Sequence, residues 1–62
     1  MKHAPEILLV ARHLMRTRGS DALARVLRHS DDLRNQGDVE AAEIWQDIAR
    51  AIRSIEAGEI EE

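Results

Sequence analysis

The run Gly37-Asp38-Val39-Glu40-Ala41-Ala42-Glu43-Ile44-Trp45-Gln46-Asp47-Ile48-Ala49-Arg50-Ala51-Ile52-Arg53-Ser54-Ile55 restricts the fold of this chain more than any other stretch. At about 100° per residue, Ala41, Ile44, Trp45, Ile48, Ala49, Ile52 and Ile55 gather on one side of a helix, with Ala42 and Ala51 at its edges. Glu40, Glu43, Asp47, Arg50 and Ser54 take the other side. The apolar arc spans roughly half the circumference, wider than the stripe of about 100° that a surface helix turns toward a core. Such a helix needs two neighbours, or one neighbour and another protein. Gly37 followed by Asp38 reads as the left-handed stop of one helix and the N-cap of the next. Glu40 and Glu43 then sit where the helix dipole favours negative charge.

Two more helices precede this one. Pro5 suits a first helical position, where its missing N–H costs nothing, and Glu6 follows it. The first helix is expected to run to Arg18 and stop at Gly19, with Ile7, Leu8, Val10, Ala11, Leu14 and Met15 on its apolar side. Leu9 projects to the opposite face, among Arg12, His13 and Arg16. Ser20 is expected to cap a second helix beginning at Asp21. Its apolar side holds Leu23, Ala24, Val26, Leu27 and Leu33, interrupted by Ser30, which predicts that this helix is the least well packed. Asp21 with Arg25 and Arg28 with Asp32 are i,i+4 pairs of opposite sign on its polar side. Short glycine-containing turns make consecutive helices antiparallel neighbours. The predicted fold is all-α, a small three-helix bundle with helices of about 5–18, 21–36 and 39–57. It forms a single domain over 1–62 with a flexible start at 1–4 and an acidic tail at 58–62.

Composition narrows the functional classes. The chain has no cysteine, so neither a disulfide framework nor a thiolate zinc site supports it. Ile7 to Ala11 is too short for a signal-peptide core or a bilayer span, so a cytoplasmic protein without membrane attachment is expected. His3, His13 and His29 make neither an i,i+4 pair nor a Glu-x-x-His ligand set. His13 and His29 are expected to be solvated on polar faces. Asp31 and Asp32 diverge by about 100° on a helix and do not form a paired acid and base. There is no glycine-rich phosphate loop. No catalytic, cofactor-binding or metal-ligating residue is assigned, and the chain is expected not to be an enzyme.

Charge is divided unevenly. Residues 1–30 carry six basic against two acidic side chains, a net +4, whereas residues 31–62 carry three against ten, a net −7. The basic helices are expected to dock beside the acidic last one, within one chain or between copies. A helical protein-interaction module is therefore the leading reading, with the chain itself (as a homodimer) or another protein as partner. Leu9, Ile44, Trp45, Ile48, Ile52 and Ile55 are the candidate contact residues. Trp45, the sole aromatic, is expected to be largely buried beside Ile48 and Ile52. The alternative is a small nucleic-acid-binding or regulatory domain using Arg12, Arg16, Arg25 and Arg28. The faces a helix–turn–helix would present are mixed in charge or acidic, which phosphates disfavour.

Gly19-Ser20-Asp21-Ala22, then Gly37-Asp38, then Trp45 followed by Ile48-Ala49 form a pattern of their own. It resembles a family of short helical proteins from alphaproteobacteria, sphingomonads among them, with a Gly-x-Asp-Ala, Gly-Asp and Trp-x-x-Ile-Ala signature. The likeness covers roughly Pro5 to Ile55. It departs in the first helix, which in that family tends to carry aromatic residues where this chain has Leu9, Leu14 and Met15. The resemblance implies the three-helix arrangement and brings no activity, ligand or partner with it.

Overall fold

The computed structural model describes residues 4–59, so residues 1–3 of the expected flexible start and 60–62 of the expected acidic tail lie outside the described residues. Helix α1 runs Pro5–Arg18 with Pro5 in its first turn, as its fixed φ requires. Its end is set by Gly19, whose φ of 62° and ψ of −135° put the backbone where a Cβ is not tolerated. The Gly19 N–H still reaches the Met15 carbonyl, and Gly19–Asp21 continues as a 3-10 turn into α2, Ala22–Asn35. Ser20 is therefore not the expected cap. It lies inside the 3-10 turn, and α2 starts from Asp21, whose side chain makes no capping bond. The turn supplies its own hydrogen bond instead, from the Ala22 N–H to the Gly19 carbonyl.

The second junction is sharper. The Asp38 N–H donates to the Leu33 carbonyl (2.9 Å) and the Gly37 N–H to the Arg34 carbonyl (3.0 Å), the paired bonds of a Schellman stop with Gly37 at φ 88°. Asp38 at once caps the next helix, its Oδ1 accepting from the Ala41 N–H at 3.2 Å. Helix α3 runs Val39–Glu56 and closes at Gly58 with the same pair of bonds that ends α2.

The described residues are all-α, with no strand among them. The expected three-helix bundle needs correction. Residues 5–18, 19–21 and 22–35 follow one another as α, 3-10 and α with no loop residue between them, so the chain makes two helical runs, the first bent at Gly19, where the backbone leaves helical geometry. The cause is the 3-10 turn, which has no loop residues to swing α2 back along the length of α1. The two segments touch each other little. Both lie on α3, and α2 takes the larger share of it.

The core is built from small residues. Ala11, Ala22, Val26, Ala42, Ile48, Ala49, Ala51 and Ile52 are buried, and with five of these eight being alanine the area removed from water is modest. Ile7, Leu8, Leu14, Met15, Leu23, Leu27, Trp45 and Ile55 close over it half-buried. Ser30, expected to weaken the second helix, does the opposite. It is 0% exposed, its Oγ donates to the Ala42 carbonyl at 3.0 Å, and it accepts from Gln46 Nε2 at 3.1 Å. A small side chain whose hydroxyl is satisfied in both roles is buried between α2 and α3 without leaving an unpaired polar atom. The pairs Asp21–Arg25 and Arg28–Asp32 do not close; the described ion pair is Asp47–Arg50, exposed and one turn apart on α3.

Candidate interaction surface

Four large aliphatic side chains stay exposed when the core is accounted for. On α1, Leu9 is 64% exposed and Val10 stands beside it; on the first turns of α3, Val39 and Ile44 are 50% and 51% exposed. Both pairs are interleaved with charge, mixed on α1 and acidic on α3. Glu6, Arg12 and His13 stand one turn from Leu9 or Val10, whereas Glu40 and Glu43 neighbour Val39 and Ile44.

Of the candidate contact residues, Leu9 and Ile44 are therefore exposed and Trp45 and Ile55 are half-buried. Ile48 and Ile52 are not on the surface at all; they belong to the chain's own core, because α1 and α2 both close on the C-terminal half of α3. Of the candidate basic residues, Arg16, Arg25 and Arg28 are exposed and Arg12 is half-buried. Arg25 and Arg28 share a shallow hollow with Ala24 and with Asp21, so the basic face carries an acid within it.

Trp45 packs against the core that holds Ile48 and Ile52, and part of it remains exposed. Trp45 lies on the floor of an open groove of about 200 Å³ formed with Leu14, Arg18, Arg25, Val26 and His29. The His29 ring meets the indole edge-on, with centroids 4.6 Å apart and planes at 79°, a favourable aromatic geometry. His29 is exposed, as expected, and its ring also meets Trp45. The signal for this contact is present in the sequence. In a tight helical hairpin, residues equidistant from the turn stand level, and His29 and Trp45 are each eight residues from Gly37. Ser30, seven residues before Gly37, bonds to groups five and nine residues after it, which is the same register.

His3 lies outside the described residues, and among the described residues no group of three His, Asp or Glu side chains is arranged to hold a metal ion. No described helix is long and apolar enough to cross a membrane. No family model matches the chain, and neither a curated protein nor a solved structure matches it. The resemblance drawn from the glycine turns and Trp45 therefore rests on those residues alone.

Proposed function

We propose that this chain is a non-enzymatic helical protein-interaction module that associates with itself. The observation that carries this reading is aliphatic surface left exposed over a thin core. Four large aliphatic side chains, Leu9, Val10, Val39 and Ile44, stay in water while alanines fill most of the core. A small domain with a thin core has little stability to spare. Covering those side chains with a second copy adds apolar burial that the monomer cannot supply. Glu40 and Glu43 beside Ile44 suit contact with a basic surface of a second copy. A nucleic-acid partner fits less well, because Asp21 shares the hollow of Arg25 and Arg28 where a phosphate would approach.

Sedimentation equilibrium over micromolar to millimolar protein tests the proposal. A dimer is expected, with a thermal midpoint that rises with concentration. A 7.0 kDa species at every concentration, melting at one temperature throughout, would refute it.

A further inference from the structure

Resting on the self-association proposed above, we infer that the second copy docks in the Trp45 groove. Ile44 of one copy, flanked by Glu40 and Glu43, enters the groove floored by Leu14, Val26 and Trp45 and rimmed by Arg18, Arg25 and His29 of the other. A two-fold axis repeats the contact.

Charge picks this occupant. The groove lining is cationic at Arg18 and Arg25 and contains no acid, while Asp21 lines the neighbouring hollow with Arg25. Among the described residues neither arginine forms an ion pair, and Glu40 and Glu43 form none either. Glu40 is one turn from Ile44 and lies on the same side of α3, so an aliphatic tip with carboxylates beside it meets an apolar floor with guanidinium groups beside it. Size agrees. At about 200 Å³ the groove is smaller than the roughly 300–1,000 Å³ clefts that enclose small molecules, and it suits one branched aliphatic side chain.

The chain's own Ile44 does not fill its own groove. Ile44 and Trp45 are adjacent on α3 and project about 100° apart, so one faces away while the other floors the groove. The projecting group and the receiving groove therefore lie side by side on each copy. That is the arrangement a closed two-fold dimer uses, each copy giving and receiving once.

Charge reversal tests the contact with two chains. Chain one carries Arg18→Glu and Arg25→Glu; chain two carries Glu40→Arg and Glu43→Arg. Alone, each places like charges together in both seatings, and its dimer dissociation constant is expected to rise by more than about tenfold. Mixed in equal amounts, the two chains match in both seatings, reversed groove to reversed tip and native groove to native tip, and a heterodimer is expected. Far-UV circular dichroism establishes that each reversed chain remains helical. Independently of any variant, dilution of the native chain through dissociation should shift Trp45 emission to longer wavelength as the groove opens to water. Native dimers whose emission ignores dissociation, or reversed chains that dimerise as the native one does, overturn the inference while leaving self-association standing. A native chain that stays monomeric overturns both.

Discussion

The two halves of α3 carry the same apolar periodicity and end in different environments. Ile48, Ala49, Ala51 and Ile52 are buried between α1 and α2, whereas Ile44, one turn earlier and only about 40° round the helix from Ile48, is half in water. The difference lies in what stands opposite. The early half is met mainly by α2, through Ser30 against Ala42, and the side of the helix carrying Ile44 has no covering helix at that level. An apolar face marks surface that is costly to leave in water, but it does not say which part the chain itself covers.

The largest expected effect is in the covered half. Ile52 is 0% exposed, and Ile52→Ala is expected to cost about 2–5 kcal/mol. Domains of this size rarely have more than about 3–5 kcal/mol in total, so this variant should be largely unfolded. Ile52→Val, at about 0.5–1.5 kcal/mol, keeps the effect measurable by urea denaturation. Trp45→Ala should cost less than Ile52→Ala although it removes more atoms, because the indole is only half-buried. A tryptophan variant that proves the more damaging of the two would reverse the ranking of the two halves.

The next effect probes the seam between α2 and α3. Ser30→Leu inserts a branched chain where the helices meet over a hydroxyl, and overpacking of this kind costs about 1–3 kcal/mol. Ser30→Ala should cost nearer 1 kcal/mol, since it removes one hydrogen-bond partner from Gln46 and from Ala42 without forcing the helices apart. Thermal denaturation of the pair separates the contributions. A Ser30→Leu variant as stable as the native chain would mean that the helices do not approach closely there.

How much of this is legible in the sequence depends on what each residue answers to. Helix ends answer to local chemistry, so Pro5, Gly19, Gly37 and the Asp38 cap are readable, and the helix limits fall within a residue of their expected places. Ser20 misleads because a serine after glycine offers the same cap to a helix or to a 3-10 turn. Ser30 misleads for a different reason. Its polarity counts against burial until a partner is known, and the Ala42 carbonyl that receives it lies across the hairpin. Trp45 is readable in part: a large side chain on an apolar face packs against the core, but how much of it stays exposed depends on what stands opposite. The hairpin register around Gly37 contains the His29 contact, but the groove also needs Leu14 and Arg18, and the bend at Gly19 that brings them there has no counterpart in periodicity.

The bend itself offers the third test. Gly19→Ala and Gly37→Ala each place a Cβ at positive φ, with open space around it, so the cost is backbone strain alone, about 1–2 kcal/mol. Gly19 should be the more sensitive of the two, because φ 62° with ψ −135° lies further from any region open to alanine. Equal stability of Gly19→Ala and the native chain would show that α1 does not need this bend to reach α3, and with it the reason for two helical runs would be lost.

The smallest expected effect on folding is at Ile44, and it discriminates best between the halves of α3. In dilute protein, where monomer dominates, Ile44→Ser removes little burial and should change stability by less than about 0.5 kcal/mol. As concentration rises, the native chain gains stability from association and the serine variant does not, because its apolar contact with the second copy is gone. The two thermal midpoints should therefore coincide at low concentration and separate steadily above it. A loss of about 2 kcal/mol at every concentration would place Ile44 with Ile48 in the chain's own core, where a large-to-small or polar change acts on folding alone. Midpoints that coincide at all concentrations would instead make Ile44 an ordinary exposed aliphatic residue. Only the opening gap between the curves joins an exposed face of the monomer to a covered one in the dimer.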